Sequence, residues 1–394
     1  MRSARIALPA LAAASAVVAL TLAEGGRVAA RVARSEPLRQ GEAVEPGPPI
    51  EVVVSADQLE PGGAEDVATA CGIEAEAATR WRAVTPRRGP QLRVTGGSAT
   101  VKAYAARCED GFVVALANHG DGKATVRLSF AASPGVYTFE KLTLDTRTAD
   151  TALRFERLQG VRVGADRRSW KLAWLAPHSG DVLRVVNRSA QVERSYRDLR
   201  RSISAIASSN ARQYRRLMPA LRECEGHIAA ISAHGADRAE LARHAHRALL
   251  ELALVQAFAR NAGSGLAPRG PQTESVASRT ETFEAALTEL SAAALGLVAN
   301  VNVEAAPEGT VRQSIEVANN GIAAISVVKV WPSGPAGTSV RAPESKLLGS
   351  LPRGATARAA FVVRLPSGAS TADLVAHVSY RFAGAPAHLR LQAP

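Results

Sequence analysis

Aromatic residues, lysine and cysteine are all scarce in this sequence. Among 394 residues there are 17 aromatic side chains, and only six of the 48 basic residues are lysine. The arginines are scattered and are not interleaved with aromatics, which argues against a stacking surface for single-stranded nucleic acid. No specific nucleic-acid partner is therefore expected. The formal net charge of +12 instead fits a loose attraction to acidic wall polymers or to an anionic membrane surface.

The three cysteines exclude two common classes of small module. The sequence contains no Cys-x-x-Cys pair, so zinc ribbons and thioredoxin-like redox sites are ruled out. Cys71 and Cys108 fall in one predicted module, and in an exported protein we predict a disulfide between them. Cys224 lies on an apolar helical stripe, where a cysteine usually acts as a small buried hydrophobe.

Familiar catalytic and metal-binding motifs are also missing. There is no Gly-x-Ser-x-Gly elbow, phosphate-binding loop or dinucleotide fingerprint. His244 and His246 point about 200° apart on a helix and cannot chelate one metal, and His244 is expected on a solvated face. Glu223 and His227 share a helix face but lack the paired Glu-x-x-His motifs of a di-metal bundle. The sequence therefore predicts no metal, no cofactor and no enzymatic activity, while a site built from distant loops stays open.

The N-terminus has the pattern of a secretory signal. Arg2 and Arg5 precede an uncharged apolar run at 6–22, which predicts a signal peptide over 1–23. The alternative is an uncleaved membrane anchor, because the length of the run is close to the shortest membrane-spanning segment. Such an anchor would be the only expected contact with a membrane. Residues 24–49 lack periodicity and are predicted to be a disordered leader. The protein is thus expected to be secreted or associated with the cell envelope.

Residues 50–190 are predicted to form an antiparallel β-sandwich. Runs of β type recur about every ten residues and are separated by turn residues. The run FVVALA, 112–117, is apolar on both faces and is expected to be a central, buried strand. The following NHGDGK, 118–123, has the residues of a hairpin loop, so His119 and Asp121 are interpreted as turn residues and not as a catalytic pair.

Three tryptophans are the candidate glycan contacts. Trp170 and Trp174 lie four residues apart on one predicted strand and would share a face about 13 Å apart. Two interpretations stay open: both indoles belong to the sandwich core, or they form a stacking platform along a sugar chain. Trp331, beside Pro332, is expected to start a loop and to be exposed.

Residues 191–298 switch to helical periodicity and predict an antiparallel helical bundle. Pro219 is expected to kink or break the first helix. Asp237 followed by Glu240 predicts a capping box at the start of the second helix. The apolar seam of the first segment consists of Leu199, Ile203, Ile206, Asn210, Tyr214, Leu217, Leu221, Cys224, Ile228 and Ile231.

Residues 299–394 return to β-type sequence. They contain seven short runs, a number that fits an immunoglobulin-like (Ig-like) sandwich. Here VRQSIEVANNGIAAISVVKVW, followed by LLGSLPRGATARAAFVVRLP, resembles the bacterial Ig-like modules attached to secreted glycosidases and adhesion proteins. The resemblance rests on an Asn-Gly turn and on the run from Leu348 to Gly354. It implies a non-catalytic accessory module. WKLAWLAPHSGDVLRVV is similar to the last two strands of the β-sandwich that closes many glycosidases, which implies a fold and not an activity.

Together these patterns predict a multidomain α+β protein with a β-sandwich, a helical bundle and a C-terminal Ig-like sandwich. The predicted function is an exported, non-catalytic surface or accessory protein that binds an extracellular protein or polysaccharide. Two alternatives remain: a glycan-binding accessory protein of carbohydrate-active systems, and a secreted hydrolase with an unrecognised site.

Overall fold

The computed structural model describes residues 48–60, 66–85, 90–148, 154–206, 211–233, 237–261, 271–321 and 323–392. The predicted signal peptide at 1–23 lies outside these residues, as does the leader at 24–49 apart from its last two positions. The described chain is a mixed α+β fold whose sheets are mostly antiparallel, which confirms the coarse prediction from the sequence.

The first part of the chain forms two sheets and two short helices. In chain order the elements are β1 (Ile50–Leu59), α1 (Val67–Ala70), α2 (Ala75–Val84), β2 (Leu92–Gly96), β3 (Val101–Cys108), β4 (Gly111–Asn118), β5 (Ala124–Ala131), β6 (Gly135–Asp145), β7 (Arg154–Val163), β8 (Arg168–Leu175) and β9 (Ser179–Asn187). One sheet has the order β2-β1-β5-β8 and the other β3-β4-β9-β6-β7. A shared apolar core containing Phe112, Phe130 and Phe139 lies between them.

Strand β4 is buried on both faces, as its double apolar pattern predicts. Phe112, Val114 and Leu116 face the core between the sheets. Val113 and Ala115 face the opposite way, into a second cluster covered by α1 and α2. The result is a central strand, and its position explains why the run carries no charge.

The predicted hairpin between β4 and β5 is wrong. The two strands belong to different sheets, so residues 119–123 cross from one sheet to the other. β5 instead pairs in parallel with β1, an exception to the expected antiparallel pattern. In this loop His119 Nε2 lies 2.7 Å from the carbonyl oxygen of Cys71, while Asp121 pairs with His178 at 2.8 Å.

Four consecutive helices follow: α3 (Arg188–Ile206), α4 (Ala211–Ser232), α5 (Arg238–Asn261) and α6 (Pro271–Leu295). The described seam residues Leu199, Leu217 and Leu221 are buried, and α3 packs on α6, α4 on α5, and α5 on α6. Of the kink or break expected at Pro219, the break does not occur, since Pro219 lies inside the continuous helix α4. The capping box is confirmed: the Glu240 amide donates to Asp237 Oδ1 at 2.7 Å, and the Asp237 amide donates to Glu240 Oε2 at 3.2 Å.

The last part of the chain forms two further four-stranded sheets. Its strands are β10 (Leu297–Ala306), β11 (Thr310–Asn319), β12 (Ile325–Ser333), β13 (Ser339–Val340), β14 (Lys346–Leu351), β15 (Thr356–Arg364), β16 (Val375–Phe382) and β17 (Ala385–Gln392). The sheet orders are β10-β11-β15-β13 and β14-β12-β16-β17. Their buried side chains are continuous with those of the helices, in one apolar cluster.

The predicted Cys71–Cys108 disulfide is not formed, and both residues carry thiols. The Cys71 thiol reaches the carbonyl oxygen of Ala115 at 3.9 Å. Cys108 instead pairs with Gly111, four residues along the same strand from Ala115. Ala115 and Gly111, the β4 residues next to Cys71 and Cys108, are about 13 Å apart along the strand. A disulfide needs Cα atoms within about 7 Å of each other. Membership of one module was therefore too coarse a criterion for the pairing.

No helix in the described ranges is both long and apolar enough to cross a membrane.

Candidate functional site

The outer face of the β2-β1-β5-β8 sheet carries two exposed indoles. Trp170 and Trp174 lie on the edge strand β8, with 55% and 70% of their surfaces exposed. Both point the same way, because side chains an even number of residues apart share a face of a strand. Of the two interpretations of these residues, burial in the core is wrong. We call this surface, made by the outward residues of β1, β5 and β8, the tryptophan face.

Alternation along β8 places the tryptophans outward. Ala173 and Leu175 are buried and belong to the core between the sheets. Lys171 also points inward: its ammonium donates to the carbonyl oxygen of Gln159 at 3.2 Å and lies 5.7 Å from the ring of Phe139. Burial lowers the pKa of Lys171. With Lys171, Ala173 and Leu175 on the inner side of β8, alternation puts both indoles on the outer side.

Polar side chains surround the indoles. The guanidinium of Arg127 lies 5.2 Å from the ring centre of Trp170. Arg127 also pairs with Glu51 at 3.2 Å, and the Ser129 hydroxyl donates to Glu51 at 3.5 Å. Register places Thr125 opposite Trp174. The face is therefore a shallow aromatic and polar surface carried by regular strands.

Trp331 is not the exposed loop residue that the sequence predicts. It lies inside β12, is half-buried, and is opposite His377 on β16. Its indole is nearly parallel to the rings of His377 and His388, with centre distances of 5.0 and 5.2 Å. A cation–π contact with Lys329, at 5.7 Å, completes its surroundings. Trp331 lies on a different sheet from Trp170 and Trp174. It therefore takes no part in the tryptophan face.

A second polar constellation lies beside Trp331, and sequence reasoning missed it. The Ser333 hydroxyl oxygen is 2.7 Å from His377 Nε2, and His377 Nδ1 is 2.9 Å from His388 Nε2. The two imidazoles are close to coplanar, at 20°. Burial, with smaller contributions from His388 and Arg390, lowers the pKa of His377 to about 4. The three residues come from three strands, so no local motif announces them.

The histidines of α4 and α5 lie in two different environments. His244 is half-buried, and its Nδ1 lies 3.2 Å from Nδ1 of His227, while Glu240 and Arg247 on the same helix face are exposed. His246 is 2% exposed and packs against Tyr380 and Phe382. In the ranges that the structure describes, no group of three or more metal-ligating side chains occurs.

Comparison with known proteins gives no family. No family model matches the chain, and no curated protein matches it. Similar solved structures include a GH30 endoxylanase from Clostridium papyrosolvens C71 (14% identity, TM-score 0.21, 28% of this chain and 26% of that one). A GH44 endoglucanase from Clostridium acetobutylium ATCC 824 is 8% identical, with a TM-score of 0.20 and coverage of 25% and 19%. An uncharacterised β-sandwich protein from Clostridium difficile 630 is 15% identical, with a TM-score of 0.14 and coverage of 24% and 85%. The chain thus spans about a quarter or less of the two hydrolases.

Proposed function

We propose that this protein is an exported glycan-binding accessory protein and that the tryptophan face is its contact surface. The observation that carries the proposal is the outward orientation of Trp170 and Trp174 on one edge strand. An exposed pair of the largest aromatic side chains costs solvation free energy, and such patches on soluble proteins commonly mark interaction sites.

The shape of the surface favours an extended ligand over a small one. Small molecules usually bind in concave pockets, whereas the tryptophan face is an open sheet surface. The two indoles are about 13 Å apart along β8, so a ligand that contacts both must be longer than one sugar ring. A polysaccharide chain meets this requirement because its rings repeat along one direction.

The chemistry of the surface also suits sugars. A pyranose ring has an apolar C–H face that can pack on an indole and hydroxyl groups that need hydrogen-bond partners at the rim. Arg127, Glu51 and Ser129 provide donors and acceptors next to Trp170. Regular strands hold these groups, so little conformational entropy is lost when a ligand binds.

An extracellular protein is the second candidate partner. Tryptophan and arginine are the residues most enriched at the energetic centres of protein interfaces, and Trp170 contacts Arg127 directly. A protein partner would have to match a nearly flat surface. The binding experiment below separates the two candidates.

In glycan binding, the remaining parts of the chain are proposed to support the tryptophan face. The packing of α3 on α6, α4 on α5 and α5 on α6 supports an antiparallel helical bundle over 191–298. The two four-stranded sheets formed by β10–β17 support an Ig-like assignment for 299–394. In this proposal the tryptophan face itself binds and performs no chemistry, and the chain acts outside the cytoplasm.

The test is a depletion assay with a panel of insoluble polysaccharides. Wild-type protein should be retained by at least one of them, and the double variant Trp170→Ala/Trp174→Ala should remain in solution. Leu347→Ala is the matched control, because Leu347 is an equally exposed apolar side chain (68%) on a different sheet. Retention of the double variant at the wild-type level would contradict the proposal, and so would a wild-type protein that no polysaccharide retains.

A further inference from the structure

Ser333, His377 and His388 form a chain of hydrogen-bonded side chains on the outer face of the β14-β12-β16-β17 sheet. The two links are 2.7 Å from Ser333 Oγ to His377 Nε2 and 2.9 Å from His377 Nδ1 to His388 Nε2. When His377 carries its proton on Nδ1, it donates to His388 and its Nε2 accepts from the serine hydroxyl. A nucleophile, a base and a group that orients the base therefore follow one another in the order that acyl transfer requires.

The surroundings hold this geometry in place. The indole of Trp331 lies parallel to the His377 ring within 6° and covers the neighbouring His388 at 15°. His377 is 9% exposed, so its ring is confined by packing as well as by its two hydrogen bonds. The rings cannot rotate without losing the indole contact. The base is thus pre-positioned in the absence of any ligand.

Ser333 remains accessible from a cleft. A cavity of about 700 Å³ is lined by Ser333, Trp331 and Lys329 from β12, by the loop 334–338 and by Glu344. This volume accommodates a small acyl substrate. Lys329 also lines the cleft, and its ammonium lies 5.7 Å from the centre of the Trp331 ring.

We propose that Ser333 is the nucleophile of an acyl-ester hydrolase site, with His377 as the general base and His388 as a positioning residue. The inference does not depend on the tryptophan face, which lies on another sheet. It replaces the sequence-based expectation of a wholly non-enzymatic chain with one catalytic candidate on the C-terminal strands.

The chemistry balances without a further cofactor. Ser333 Oγ forms a bond to the ester carbonyl carbon as its proton moves to His377 Nε2. The tetrahedral intermediate collapses, the bond to the leaving alkoxide breaks, and His377 returns the proton to that oxygen. Water then attacks the acyl-serine and loses a proton to His377. Collapse releases the carboxylic acid, and Ser333 regains its proton.

The direct experiment uses a fluorophosphonate probe on the full chain, with peptide mass spectrometry to locate the adduct. Attack by Ser333 on phosphorus with loss of fluoride should give a single adduct at this residue. Ser333→Ala should abolish that adduct, and His377→Ala should slow its formation about 100-fold or more. Ser345→Ala is the matched control, because Ser345 lines the same cleft but has no part in the proposed chain.

Two results would overturn the assignment: no adduct at Ser333, or wild-type labelling of His377→Ala. His377→Gln is the second base variant if His377→Ala fails to fold by circular dichroism.

The role of His388 is tested separately, by the pH profile of labelling. The charged and titratable groups near His377 are His388 and Arg390 on β17 and Glu281, Glu284 and Glu289 on α6, while Lys329 on β12 contacts the ring of Trp331.

Because His388 contributes to the low pKa of His377, His388→Ala should move the acid limb of the labelling profile to higher pH and also lower the rate. An unchanged profile and rate would remove His388 from the assignment.

Discussion

Asn118 and Asn319 make the same hydrogen bonds at corresponding corners of two different pairs of sheets. Asn118 Nδ2 donates to the carbonyl oxygens of Gly122 (2.8 Å) and Ala176 (3.0 Å). Its Oδ1 accepts from the amide of Gly120 at 3.0 Å. The side chain therefore closes the loop that leaves β4 and attaches this loop to the strand connection after β8.

Asn319 repeats this arrangement where β11 leads to β12. Its Nδ2 donates to Ala323 (2.9 Å) and Leu351 (2.8 Å), and its Oδ1 accepts from the amide of Gly321 at 3.3 Å. Both asparagines are almost fully buried, at 1% and 0% exposure. In each case the chain crosses between sheets at an Asn-x-Gly sequence, so one polar side chain fixes the crossing.

The first prediction is that Asn319→Ala destabilises the protein by about 1–3 kcal/mol, because two carbonyl groups and one amide lose a buried partner. Urea unfolding of the full chain measures this difference. The matched control is Asn320→Ala at the exposed neighbouring position, where a change within about 0.5 kcal/mol is expected. Equal effects of the two substitutions would show that the side-chain bonds of Asn319 do not stabilise the crossing.

These corners show what the sequence could and could not predict. The runs that form β4 and β5 were recognisable from alternation and composition. Whether the chain turns back or crosses to another sheet depends on contacts such as that between Asn118 and Ala176, which are 58 residues apart. Local turn chemistry is similar in both cases, so the sequence favoured the simpler hairpin.

The candidate sites were predictable to different extents. A two-residue period establishes that Trp170 and Trp174 share a face, but it does not say which face is inward. In the structure Ala173 and Leu175 enter the core, so the two indoles at the alternating positions face outward. The Ser333 chain could not be read from the sequence at all, because Ser333 and His377 are 44 positions apart and come together only when β12 pairs with β16.

The second prediction concerns the helical core. Leu221 is 1% exposed and shares a buried cluster with Leu217, Leu252 and Leu287. Leu221→Ala should cost about 2–5 kcal/mol, because it removes a buried side chain and leaves a cavity. Leu254→Ala is the matched control, since Leu254 is 62% exposed and its loss should change stability by less than about 0.5 kcal/mol. Similar denaturant midpoints for the two variants would mean that the helix faces are assigned wrongly.

The third prediction concerns a charge cluster where three parts of the chain meet. Glu289 on α6 pairs with Arg157 on β7 at 3.2 Å and with Arg188 of α3 at 3.6 Å. Glu289→Gln should cost about 1–3 kcal/mol at neutral pH, because Arg157 and Arg188 lose a charged hydrogen-bond partner and keep Glu140. Glu316→Gln, at an exposed strand position, should be nearly neutral. A loss no larger than that of Glu316→Gln would contradict the structural role of the cluster.

The pH dependence of this cluster has a defined sign. Burial alone would raise the pKa of Glu289, but Arg188 and Arg157 outweigh it, so the pKa lies below its ordinary value. The stabilisation is therefore complete above the unfolded pKa of about 4.3 and is lost as the pH falls through the lower folded pKa. Urea unfolding at pH 7 and pH 3 should show the gap between wild type and Glu289→Gln narrowing at the lower pH.

The fourth prediction concerns His246. Neither ring nitrogen has a hydrogen-bond partner among the described residues, and burial lowers its pKa to about 4. Its ordinary value is about 6.5. The unfolded state thus binds more protons between these values, and stability falls as the pH drops from about 6.5 towards about 4. His246→Leu should be at least as stable as wild type at pH 7. Its free energy of unfolding should also fall less than that of wild type as the pH is lowered. Parallel stability curves for the two proteins would refute the assignment.

The most direct test of the proposed function is calorimetric titration with oligosaccharides of increasing length, taken from the polysaccharide that retains the protein. If one chain contacts both Trp170 and Trp174, affinity should rise with length until the ligand spans about 13 Å and then level off. Trp174→Ala should weaken binding of the longest ligand at least tenfold, about 1.4 kcal/mol, and should abolish the length dependence. Wild-type affinity and length dependence in Trp174→Ala would contradict the tryptophan face as the glycan-binding surface.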